Sequence, residues 1–144
     1  MNFQSEPVML EIPAYMGVNA TREHQRVIAK LTARLYVLFE TGQIPYEPLP
    51  EVMIDDAKTS PTPDVILSDE AAGDNMVLIE VAAKGAKADF EKVIGLVNTY
   101  EVPEGFVYNY QKKTWRKYKL GQGEIFDNPS FCDSIGYDLD QFVR

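Results

Sequence analysis

The sequence predicts an α/β domain in which one mixed β-sheet is flanked by helices. Three observations carry this expectation: two segments repeat apolar residues at three- and four-residue steps, two pairs of β-prone runs are joined by turn-prone connections, and the order along the chain is helix, strands, helix, strands. At 144 residues and 45% hydrophobic content the chain suffices for one core of ordinary density, so a single domain is expected over residues 1–144.

The first helix is read in NATREHQRVIAKLTARLYVLFETG, where Val27, Ile28, Leu31, Leu35, Leu38 and Phe39 form one apolar stripe. Asn19 or Thr21 is its expected cap and Gly42 its expected end. Glu23 and His24 fall on the edge of the buried face in the first turn. Residues 43–63 hold five of the nine prolines around EVMID, read as a short proline-bounded strand. DVILS and MVLIEVAA are rich in Val, Ile and Leu and are separated by DEAAGDN, which predicts an antiparallel pair. KADFEKVIGLVNTY spaces Phe90, Ile94 and Val97 as a second helix, with Asp89 as its N-cap and Pro103 beyond its end. GFVYNY and TWRKYKL, joined by QKK, read as a second strand pair, and DLDQFV as a closing helical turn.

Composition narrows the chemistry. Cys132 is the single cysteine and His24 the single histidine, which rules out an internal disulfide and a cysteine-based zinc site. A metal here would rest on carboxylates, which favours a hard ion such as Mg²⁺. A net charge of −8 argues against a protein that coats nucleic acid with its whole surface. Residues Lys112 to Lys119, KKTWRKYK, are the exception, with five positive charges in eight positions and Trp115 and Tyr118 interleaved. This segment is the expected handle for DNA. No apolar run approaches the roughly 18 residues of a membrane span, and the opening MNFQSEPVML lacks a basic start, so no membrane association and a cytoplasmic location are expected.

Asp64 and Glu80 are the leading site candidates. Asp64 follows a proline at the mouth of one apolar run, and Glu80 interrupts a second. A PD pair also suits a simple turn, and a strand carboxylate also suits a salt bridge, but a buried unpaired carboxylate costs several kcal/mol. If the two runs pair, the carboxylates lie on strands about 4.8 Å apart. That proximity suits Mg²⁺, with Mn²⁺ as the natural substitute.

PDVILSD, then LIEVAAK with fifteen residues between Asp64 and Glu80, resembles the core of the PD-(D/E)XK, or restriction-endonuclease-like, superfamily. Within it the chain is most similar to the small bacterial Uma-type restriction-endonuclease family. EHQRVIAKLTARL resembles that family's opening helix, and DFEKVIGLVNTYEVPEGFVYNY its following helix and aromatic strand. The resemblance implies a restriction-endonuclease-like core and Mg²⁺-dependent hydrolysis of DNA phosphodiester bonds, with Asp64 and Glu80 on the metal. It also implies a lysine beside them. The superfamily's usual lysine position, two residues after the glutamate, holds Ala82 here, which leaves Lys84 on the same strand face or Lys92, whose D-x-x-K spacing from Asp89 matches the Uma-type group. The resemblance further gives Glu23 a role in tuning or coordinating the site, while His24 is read as structural. Asp55 and Asp56 are additional acidic residues that the spacing does not require.

The alternative is a nuclease-fold domain without chemistry, acting as a nucleic-acid-binding or assembly module, for instance through exposed Tyr108 and Tyr110. Restriction-type nucleases often cut as dimers, and the basic, aromatic strand pair is a candidate homodimer edge.

Overall fold

The computed structural model describes residues 21–55 and 60–144. Asn19 and Asp56, named above as a cap and as an acidic residue, lie outside the described residues. Helix α1 (Arg22–Glu40) starts where expected: Thr21 is the N-cap, its hydroxyl accepting the His24 N–H at 3.2 Å. Val27, Ile28, Leu31 and Leu35 are its buried residues.

Among the described residues the strands form a six-stranded sheet and a two-stranded ribbon. The sheet runs in chain order: β1 (Glu47–Pro50), β2 (Val65–Asp69), β3 (Asp74–Ala82), β4 (Glu104–Asn109), β5 (Thr114–Lys119) and β6 (Gly123–Ile125). The β2–β3 pair is antiparallel, as is β4–β5, while β3 and β4 run parallel with α2 (Ala86–Tyr100) between them in the chain. The sheet is therefore mixed and flanked by helices, as expected. The ribbon pairs β7 (Phe131–Cys132) with β8 (Tyr137–Asp138), and a 3-10 helix (Leu139–Phe142) closes the chain where DLDQFV is predicted to turn.

Four expectations are corrected. The strand predicted in EVMID is instead EPLP, residues 47–50; Glu51, at a φ of 53°, turns the chain out of the strand, and residues 51–55 are irregular. β1 is an edge strand, where proline's missing N–H is tolerated. Asp89 is not the cap of α2: Gly85, left-handed at a φ of 76°, holds that position, and Asp89 lies in the first turn. The β4–β5 pair is not an open edge along its whole length, because β6 covers β5 from Lys117 to Lys119. Tyr108 is buried, its ring 4.7 Å from that of Trp115.

One face of the sheet packs Val65, Leu67, Ile79 and Phe106 against α1 and the C-terminal segment. The other packs Ile66, Leu78, Ala82 and Val107 against Phe90, Val93 and Val97 of α2. α2 sits very close to β4. A Cβ on Gly105 would lie 2.6 Å from Val93 Cγ1 and 2.8 Å from Val97 Cγ2, so only glycine fits beneath the helix. Among the described residues no helix is long and apolar enough to cross a membrane.

Candidate active site

The site lies where β2 begins and β3 ends. Register pairs Val65 with Ile79, so Asp64 and Glu80 are the next residues across the same pair of strands. Asp64 precedes β2, and its backbone is pinned from both sides. Its carbonyl accepts the Glu51 N–H at 3.0 Å, and its N–H donates to Glu80 Oε2 at 3.2 Å. Its side chain reaches back over β3, where Oδ2 accepts the Val81 N–H at 2.7 Å.

Glu80 alternates with Leu78 and Ala82 and so points to the α2 side, where it is 4% exposed. From α2, Lys92 Nζ approaches Glu80 Oε1 to 3.3 Å. Burial, followed by repulsion from Asp64, pushes the Glu80 carboxyl up to about 7, against the pull of Lys92. A second cation stands on the other carboxylate. His24 Nε2 is 3.4 Å from Asp64 Oδ2, and its Nδ1 is 2.9 Å from Gln25 Oε1. The hydrogen bond to Asp64 raises His24 to about 9 in spite of partial burial.

A cleft of about 360 Å³ opens beside this cluster, lined in part by Thr21, His24, Lys84, Asp89 and Tyr110. The structure thus brings together Asp64, Glu80 and Lys92, and it places Lys84 and Asp89 on the adjoining cleft. Lys84 lies beyond the end of β3, is exposed, and makes no ion pair among the described residues. Asp89 is half-buried, and desolvation raises its carboxyl. Glu23 is not brought in: its carboxylate turns outward to Arg26 at 3.0 Å, both side chains being exposed. Asp55 lines a different cavity, with Glu51, Glu70 and Asp74. Ala82 is packed in the α2-side core.

His24, read from the sequence as structural, stands beside Asp64 at the strand ends. Its place four before Ile28, on the edge of the stripe, was the available signal. One turn of α1 carries it to the strand ends and directs its neighbour Glu23 away.

The basic segment is largely neutralised within the fold. Arg116 forms a paired hydrogen bond with Glu124 at 2.8 and 2.9 Å, Lys117 is buried against Glu104 and Asp133, and Lys119 reaches Asp133 at 2.9 Å. Lys112 and Lys113, in the β4–β5 turn, are exposed and make no ion pair among the described residues.

A divalent ion suits this donor set in kind: both carboxylates offer hard oxygens, and Asp64 Oδ1 is engaged by no group among the described residues. Among those residues no cluster of three or more His, Cys, Asp or Glu side chains is arranged to hold a metal, so the carboxylate pair would carry it.

The two raised pKa values set a pH dependence of stability in buffer free of divalent metal. Folded Glu80 keeps its proton up to about pH 7, whereas the unfolded group loses it near 4.5, so its contribution is full below 4.5 and is lost as pH rises through 7. His24 behaves likewise over a higher window, its contribution being full below 6.5 and lost through about 9. The melting temperature should therefore fall from pH 5 to 9. Glu80→Gln should flatten the lower part of that decline and His24→Gln the upper, as followed by circular dichroism; an unchanged slope in both variants would refute the assignment.

Fold and site together define a mixed α/β domain with a cross-strand carboxylate pair at one end of its sheet. Among solved structures, one similar to it is a putative nuclease belonging to DUF820 from Anabaena variabilis ATCC 29413. It matches with a TM-score of 0.63 at 13% identity, over 86% of this chain and 83% of the other. This likeness is one of fold. No family model matches the sequence, and no curated protein matches it.

Proposed function

We propose that the protein is a Mg²⁺-dependent endonuclease that hydrolyses DNA phosphodiester bonds. The observation that carries this reading is the cross-strand pair of Asp64 and Glu80 with Lys92 Nζ at 3.3 Å from Glu80. The fold shared with the Anabaena protein, described as a putative nuclease, adds support.

In this reading Asp64 and Glu80 hold the ion, which when bound polarises the phosphodiester and lowers the pKa of water. Burial and, after it, repulsion from Asp64 both disfavour the charged Glu80 carboxylate, and a bound cation would offset both. Lys92, held to Glu80 at 3.3 Å, orients the attacking water or offsets charge gathering on the phosphoryl oxygens. Lys84 faces the open cleft and serves the substrate side of the site. Lys112 and Lys113 follow Tyr110 and Gln111 of the cleft wall and are the part of the basic segment available to DNA phosphates.

A second reading, a nuclease-fold module that binds nucleic acid or assembles without cutting, has its own support. His24 and Lys92 already balance the two carboxylates, and three of the five basic residues between Lys112 and Lys119 are committed to internal ion pairs. The deciding experiment is calorimetric titration of Mn²⁺ into the purified protein, with Asp64→Asn/Glu80→Gln as control. Saturable binding that the double variant loses is the expected result. No binding to the wild-type protein, with or without DNA, would favour the module.

A further inference from the structure

We propose that His24 is a positioning residue of the cation site: it holds Asp64 by one oxygen, Oδ2, and so reserves Oδ1 for the ion. This rests on the reading of Asp64 and Glu80 as metal ligands. The argument begins with the uneven use of the Asp64 carboxylate. Oδ2 faces two groups, the Val81 N–H at 2.7 Å and His24 Nε2 at 3.4 Å, whereas Oδ1 is engaged by none among the described residues. The backbone donor and the close imidazole contact fall on the same oxygen, and together they restrain the torsion of the carboxylate more than the backbone bond does by itself. An outer group that orients a metal-binding carboxylate commonly matters to affinity although it never touches the metal.

The placement of His24 is built from both ends. Thr21 caps α1 by accepting the His24 N–H, and the same hydroxyl lies 3.4 Å from the Tyr110 hydroxyl just beyond the end of β4. The first turn is thereby tied to the sheet end that carries the site. On the far side of the ring, Gln25 meets Nδ1 at 2.9 Å. An amide can accept from Nδ1–H or, turned over, donate to a bare Nδ1. Nε2–H is therefore available to Asp64 whether or not the ring is charged, and the inference does not depend on its titration. Side-chain exposures of 12% for His24 and 15% for Asp64 keep bulk water from easily replacing the contact.

Mn²⁺ affinity tests this, with the melting temperature recorded for each variant. His24→Ala should weaken binding on the order of 10- to 100-fold. His24→Gln, which restores an N–H donor of similar reach, should recover most of the loss. If His24→Ala fails to fold, His24→Asn, too short to span the gap, takes its place. Unchanged affinity in the Ala variant, or a loss that Gln does not repair, would overturn the inference. Tighter binding in the Ala variant would also overturn it, by showing that the imidazole occupies the place of the cation. Absence of Mn²⁺ uptake by the wild-type protein would overturn the metal reading itself, and this inference with it; uptake unaffected by His24 would overturn this inference alone.

Discussion

Replacing Lys117 with alanine is expected to cost the folded protein about 3 to 5 kcal/mol, the range found when one partner of a buried ion pair is removed. Lys117 is 3% exposed and Glu104 1%. The ammonium donates to the Phe131 carbonyl at 2.6 Å and to Asp133 at 2.9 Å, and lies 3.4 Å from Glu104. Glu104 in turn accepts the backbone N–H groups of Ser134 and Asp133, at 2.6 and 3.2 Å, and the Cys132 thiol at 3.4 Å. The cluster thus seats the β7 strand and the turn after it on the sheet. Without the ammonium, the Glu104 carboxylate remains buried and keeps only the more distant charge of Lys119, its partner across the strand pair. The Lys119→Ala variant provides the contrast, since Lys119 bonds the same Asp133 from a more exposed position and should cost no more than about 1 kcal/mol. Urea unfolding of the two variants decides the matter, and equal shifts in midpoint would refute the buried-pair account.

The second expected result concerns activity. If the nuclease reading holds, Lys92→Ala should lower the rate of Mn²⁺-dependent plasmid cleavage on the order of 10²- to 10³-fold, the loss typical of removing one group that stabilises the transition state. Mn²⁺ binding should survive, because Lys92 contributes no ligand and its departure removes a competing positive charge from Glu80. Lys84→Ala should cost much less, since Lys84 reaches neither carboxylate. A cleavage rate insensitive to Lys92 and sensitive to Lys84 would reverse the two roles. Lys92→Ala should destabilise the fold less than Lys117→Ala, because the lysine side chain is 44% exposed and the buried Glu80 carboxyl, already raised to about 7, can take up a proton in its absence.

The carboxylate pair was legible in the sequence because a turn-rich connector between two β-prone runs fixes antiparallel neighbours, and alternation then sets the face that Glu80 occupies. The two helices were legible from their stripes. β1 was not, because Pro48 and Pro50 lower the strand signal where pairing with β2 creates the strand anyway. Nor was the fate of the basic segment. Alternation alone places Lys117 on the face of Trp115, but its partners Glu104 and Asp133 come from 13 residues before and 16 after it. The Glu23 expectation missed for a related reason: adjacent helix positions differ in direction by about 100°, given 3.6 residues per turn, so a shift of one residue exchanges the site for solvent.

Gly105 lies outside the site, yet it governs how far the site's lysine can extend. Val93 and Val97 rest on the bare backbone of β4 at that glycine, and Lys92 is the residue immediately before Val93. In register, Gly105 stands beside Leu78, two residues from Glu80 on β3. A side chain at 105 would force Val93 and Val97 to shift, and Val93 adjoins the Lys92 that reaches Glu80. The missing methyl group at position 105 is therefore a spacer of zero thickness, and it sets the gap between the helix that carries Lys92 and the strand that carries Glu80.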